Sequence, residues 1–332
     1  MKVRLLLGII VLFAFFSCTS NNSKLKVAFL FPNFKSERYI KEKEYFKERI
    51  AQLGGEAEVV DANYDQEEQI KQAKKFLDDG VKVLVVGAVN ANLSASIVRL
   101  AHSYGAIVIA YDRLIKNCGL DWYLSFNGQK VGELLAGYIT QIIPQGNFIV
   151  IGGDKSDFNA IQINIGQMKV LKPMVESKKV SLLYNVFIEE WNTDNARVEV
   201  EYYLNLSNQI PDAVICSSDR MAMGVVSALE KNNLAGKVLL TGMDADKTAL
   251  HNILSGKQTM SVYKPFKQLA YLAAETAMKA AKGEKIESGN KIWNGSIDVS
   301  SVLIEPKVVD KNNIRATVIA DGLYTESEIY GK

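Results

Sequence analysis

The sequence predicts an α/β protein of two lobes, each a parallel sheet flanked by helices, with a hinge that the chain crosses several times. Two observations carry this. Short β-branched runs alternate with longer helical patterns from end to end, the signature of βαβ units. The strand candidates are also too many for one simple sheet, and the polar segment Ser125-Phe126-Asn127-Gly128 interrupts the pattern near its middle.

The elements follow in order. Lys26 to Phe31 reads as a strand, and Tyr39, Phe46, Ile50 and Leu53 then fall on one helical face that Gly54-Gly55 stops. Further strands are expected at Glu56 to Val60, Val81 to Val86, Ile107 to Ala110, Phe148 to Ile151, Val180 to Phe187, Ala213 to Cys216, Val238 to Leu240 and Thr259 to Tyr263. A helix from Pro265 to Lys282 comes late, followed by strand-like pieces at Val302 to Ile304 and Thr317 to Ile319. The expected boundaries are 26–128 with 265–298 for the N-terminal lobe, and 129–264 with 299–332 for the C-terminal lobe. Hinged lobes commonly close around a ligand.

Lys2 and Arg4 precede an apolar run, Leu5 to Phe16, that is too short to span a bilayer comfortably. Ser17-Cys18 and the polar stretch after it have the layout of a lipoprotein processing site, although Phe15 stands where leucine is usual. Residues 1–17 are therefore expected to be a signal peptide, Cys18 a lipid attachment point and 18–25 a linker, with an ordinary signal peptide as the alternative. The expected location is periplasmic, anchored by lipid to the cell membrane or outer membrane.

The net charge of +2 comes from mixed basic and acidic residues, so no footprint for nucleic acid is seen. Cys118 and Cys216 are expected to be free thiols. His102 and His251 lack ligand-spaced partners, so no metal is expected. There is no Walker loop or Gly-x-Gly-x-x-Gly fingerprint either, which removes the usual devices for phosphates and nucleotide cofactors.

In open parallel sheets ligands bind beyond the carboxyl ends of the strands. Reading those positions gives Arg38 and Tyr39, then Asp112 and Arg113, then Asp157 and Asn159, then Trp191, Ser218, Asp219, Asp244 and Lys264. Each has a bland reading as well: Asp157, Asp219 and Asp246 suit helix N-caps, and Tyr39 fits the core face of its helix. Together they form a ring of carboxylates, cations and an amide, with aromatics beside it. Planar bidentate groups satisfy vicinal hydroxyls, and an aromatic face covers the C–H side of a sugar ring. The balance of charge favours a neutral sugar.

At these residues the chain resembles the periplasmic D-xylose-binding proteins that deliver sugar to ABC transporters, over essentially its whole mature length. The resemblance rests on Tyr111-Asp112-Arg113, Lys130-Val131-Gly132-Glu133-Leu134, Ile143-Pro144-Gln145-Gly146-Asn147, the stretch from Gly166 to Pro173, Asp244-Ala245-Asp246, Gln258 to Pro265, and the closing segment from Lys311 through Glu328. It implies a two-lobed periplasmic-binding-protein fold and sugar contacts from Arg38, Asp112, Arg113, Asp157, Asn159, Asp219, Asp244 and Lys264, with packing from Trp191. It also implies a membrane permease as partner, a monomer, and no catalysis. Tyr39 stands where the family has tryptophan, Ser218 replaces a sugar-contacting asparagine and Met243 replaces a glutamine. A sensor subunit for a membrane histidine kinase and an exported carbohydrate-active enzyme remain as alternatives.

Overall fold

The computed structural model describes residues 24–34, 37–207 and 209–331. The expected leader 1–17 and Cys18 lie outside the described residues. The first half runs β1 (Lys26–Phe31), α1 (Glu37–Gln52), β2 (Glu56–Asp61), α2 (Gln66–Asp78), β3 (Val83–Val86), α3 (Ala95–Ser103), β4 (Ile107–Tyr111) and β5 (Trp122–Phe126). The chain continues through α4 (Gly128–Ile142), β6 (Gly146–Gly152), α5 (Phe158–Glu176), β7 (Val180–Phe187), α6 (Thr193–Leu206), β8 (Ala213–Cys216), α7 (Asp219–Lys231), β9 (Leu239–Met243), α8 (Lys247–Ser255) and β10 (Met260–Tyr263). It ends with α9 (Phe266–Ala281), β11 (Asn290–Trp293), β12 (Asp298–Ile304), β13 (Lys307–Asp310) and α10 (Glu326–Tyr330).

Among the described residues these strands make two sheets, ordered β11-β12-β5-β4-β3-β1-β2 and β13-β10-β9-β8-β6-β7. All pairings are parallel except at one edge of each sheet, where β11 and β13 run antiparallel to their neighbours. Side chains alternate across a strand, and β1 shows the consequence. Val27, Phe29 and Phe31 join one buried cluster with Phe46 and Tyr111, while Ala28 and Leu30 join another with Leu84 and Ile97. The second sheet is covered in the same way: Ile149 and Ile151 pack toward α6 and α7, and Phe148 and Val150 toward α4 and α5. Strands buried on both faces read as continuous apolar runs, which is why β1, β3 and β8 are legible in the sequence.

The chain passes between the sheets after β5, after β10 and after β12. The expected boundary at residue 298 is corrected by this arrangement, because β12 pairs with β5 from Ser300 opposite Trp122 to Ile304 opposite Phe126. The third crossing is Glu305-Pro306. Asn127 ties it to the first crossing, its N–H donating to the Ile304 carbonyl at 3.0 Å and its Nδ2 to Glu305 at 3.0 Å. The second is Lys264-Pro265, so one crossing places a cation of the expected ring.

A second correction concerns Thr317 to Ile319, which lie in a π-helical turn, Arg315–Ile319. The run has strand composition, but Thr317 spends its N–H and its hydroxyl on the Asn313 carbonyl one turn back, and Val318 is fully buried. A β-branched threonine makes that back-bond readily.

Candidate functional site

At the carboxyl ends of both sheets lies a cavity of about 460 Å³. Its lining includes Arg38, Tyr39, Asp112, Arg113, Asp157, Asn159, Trp191, Ser218, Met243, Asp244 and Lys264. The structure thus gathers the expected ring with one exception. Asp219 does not line the cavity; its carboxylate is fully buried behind it and accepts hydrogen bonds from Gln258 Nε2, Ser261 Oγ and the Asp246 N–H.

Asp112 follows β4 with φ 61°, a left-handed conformation that residues with a Cβ seldom adopt. The reason it is held there is local. Its carbonyl oxygen accepts from Tyr123 Oη at 3.1 Å, Ser125 Oγ at 2.9 Å and Asn159 Nδ2 at 3.0 Å, while the Arg113 N–H turns back to Tyr111. The carboxylate so directed accepts from Arg38 Nη2 at 2.7 Å. Burial would raise the Asp112 carboxyl, but the charges of Arg38, Lys264 and Arg113 outweigh it and hold the group below the ordinary carboxylate range.

Arg38 is itself buried, with its guanidinium carbon 4.9 Å from the Tyr39 ring centre and 4.7 Å from that of Phe266. Burial disfavours its charge; Asp112, Glu42, Tyr39 and Asp244 restore it and push its pKa up. Lys264 Nζ lies 2.8 Å from Asp244, and Arg113 Nε lies 3.9 Å from Asp157. Tyr39 serves both its readings, packed in the core 5.3 Å from Phe31 and lining the cavity. Asp157 and Ser218 likewise cap helices, accepting from the Asn159 and Met221 N–H groups, while facing the cavity.

Trp191 is set by backbone strain one sheet away. Glu190 and Trp191 have φ 55° and 53°, and Asp154 Oδ2 fixes the Glu190 N–H at 2.7 Å. The indole then lies against Gly153, where a Cβ would come within 2.3 Å of the ring. Only glycine permits this approach.

The cavity also takes in Tyr64, Glu190, Thr193, Arg220, Met223, Asp246, Lys247 and Thr248, which the strand-end reading missed. Tyr64 follows β2 by the same rule, and Asp246 shares the turn of Asp244, so both carried a usable signal. In total the lining brings five basic side chains (Arg38, Arg113, Arg220, Lys247, Lys264) against five acidic ones (Asp112, Asp157, Glu190, Asp244, Asp246), a balance that suits a neutral ligand. Among the described residues no group of three or more His, Cys, Asp or Glu side chains is placed to hold a metal ion. His102 Nε2 pairs with Asp121 at 2.9 Å, and Cys118 and Cys216 are free and buried.

A family model for the periplasmic binding protein domain matches residues 27–285. The chain belongs to the periplasmic binding protein family. It is 37% identical to the D-xylose-binding periplasmic protein of Haemophilus influenzae over 99% of this chain and 100% of that one. With the D-xylose-binding periplasmic protein of Escherichia coli it shares 39% identity over 92% of this chain and 93% of that protein. Among solved structures it is similar to an ABC transporter solute-binding protein from Clostridium phytofermentans with bound β-D-glucose, at a TM-score of 0.84 and 27% identity, covering 92% and 99% of the two chains. The family's two-sheet architecture is the fold class the sequence predicts.

Proposed function

We propose that this chain binds a neutral monosaccharide, D-xylose or a related pentose, in the cavity between its sheets and delivers it to the permease of an ABC-type importer. The observation that carries this reading is the pairing of charges at the cavity: Arg38 with Asp112, Lys264 with Asp244 and Arg113 with Asp157. Such pairs offer charge-assisted donors and acceptors to several hydroxyls at once without attracting a charged ligand. The relatives described as D-xylose-binding periplasmic proteins support the pentose.

Asp112 fits binding better than general-acid catalysis. A general acid needs a raised pKa, whereas Asp112 is held low. By the same reading the protein works as a periplasmic monomer, anchored through lipid on Cys18.

A thermal-shift screen of the mature chain tests the function. D-Xylose at a hundredfold excess over its Kd stabilises by about 2.7 kcal/mol and raises the melting temperature, while xylose 5-phosphate leaves it unchanged. A shift with the phosphate and none with any free pentose or hexose contradicts the reading. Fatty-acid labelling that persists in Cys18→Ala would contradict lipid attachment at Cys18.

A further inference from the structure

The turn that carries Asp244 is strained. Asp244 has φ 103° and Ala245 φ 56°, and such residues persist only where their surroundings over-determine them. Each of the three successive N–H groups is held. That of Asp244 donates to the Val262 carbonyl at 2.9 Å, that of Ala245 to Ser261 Oγ at 3.1 Å, and that of Asp246 to Asp219 Oδ2 at 2.9 Å.

The last two are one device. Ser261 Oγ donates to the same Asp219 Oδ2 at 2.7 Å, and Gln258 Nε2 donates to Asp219 Oδ1 at 2.8 Å. Asp219, Ser261 and Gln258 are all buried, and Gly242 on β9 leaves the space they need: a Cβ there would lie 1.9 Å from Asp219 Oδ1. Held this way, the Asp244 carboxylate stands 2.8 Å from Lys264 Nζ and 3.5 Å from Arg38 Nη1.

We propose that Asp219 and Ser261 are positioning residues for the ligand, which they never touch: they hold the Asp244 turn in the one conformation that points its carboxylate into the cavity. The proposal rests on the reading of Asp244 as a sugar contact.

The test is a double-mutant cycle read by calorimetric titration with D-xylose, with hydrogen exchange on the same proteins. Ser261→Ala is expected to weaken D-xylose binding about tenfold, and to change it less than twofold when Asp244→Ala is already present, because the turn then has no polar group to aim. Exchange at the Ala245 and Asp246 amides should quicken in Ser261→Ala while that of β8 stays slow. Asp219→Asn, which retains an acceptor for Asp246, should show the same background dependence with a smaller loss. Equal affinity losses in both backgrounds, or unchanged affinity with Asp244 intact, overturn the proposal. If the unaltered protein binds no free pentose or hexose, the functional reading fails, and the amide exchange alone then decides whether Asp219 and Ser261 hold the turn.

Discussion

Arg38 and Asp244 are carried by different sheets, yet their charged groups stand 3.5 Å apart. Arg38 opens the helix after β1 and Asp244 follows β9, so this pair, with Arg113 and Asp157 at 3.9 Å, joins the two lobes across the cavity itself. The residues expected to hold the sugar therefore also hold the lobes in register.

Arg38 is the cation that the buried acids share. Replacing it, as in Arg38→Met, leaves Glu42 and Asp112 in the interior without their nearest positive charge. Breaking a buried pair from one side costs about 3–5 kcal/mol. Denaturant unfolding should show that loss, whereas Arg113→Met, whose partner lies on the other lobe, should lower sugar affinity with a smaller change in stability.

Glu42 gives a pH signature. It is fully buried one helical turn after Arg38, 3.3 Å from its Nε, and burial pushes its pKa up to about 8 in spite of that charge. With the folded value above the ordinary one, the folded state holds the proton longer than the unfolded chain. The stability this contributes is complete below about pH 4.5 and is lost as pH rises toward 8. Melting curves of Glu42→Gln should accordingly fall less steeply than those of the unaltered protein across that interval. Parallel curves would show that Glu42 is already ionised there.

Gly153→Ala should act on the ligand through Trp191. The added methyl would sit 2.3 Å from the indole, so the ring must swing away from its place on the cavity wall. The sugar then loses the apolar cover of the indole face, and the expected outcome is a several-fold weaker sugar affinity with altered tryptophan fluorescence on titration.

Gly132 and Gly166 make the opposite case. They let α4 and α5 touch backbone to backbone, since a Cβ at either would fall 2.0 Å from a carbonyl oxygen of the other helix. Gly132→Ala should lower the melting temperature by several degrees, while the protein that remains folded binds sugar normally.

What the sequence disclosed, and what it hid, follows from where polar groups are spent. β1 and β8 are legible to the residue because their apolar runs face packed helices on both sides. β5 reads as a polar interruption because Tyr123 and Ser125, inside a central strand, give their hydroxyls to the Asp112 carbonyl. A strand-end rule places Asp112, Asp157, Asp219 and Asp244 near one another, but it cannot say which way each carboxylate turns. Asp219 turns inward because Gly242 leaves room and Ser261 and Gln258 await it. Such a match depends on three segments at once, and no single stretch of sequence displays it.

The most direct measurement is a calorimetric titration of D-xylose into the unaltered protein, Asp112→Ala and Asp244→Ala, with a melting curve for each. Asp112 and Asp244 follow strands of different sheets and direct their carboxylates into one cavity. Losing either acceptor is predicted to cost about 2–4 kcal/mol of binding, more than tenfold in Kd, in variants that still fold cooperatively. Near-normal affinity in both variants would contradict the account.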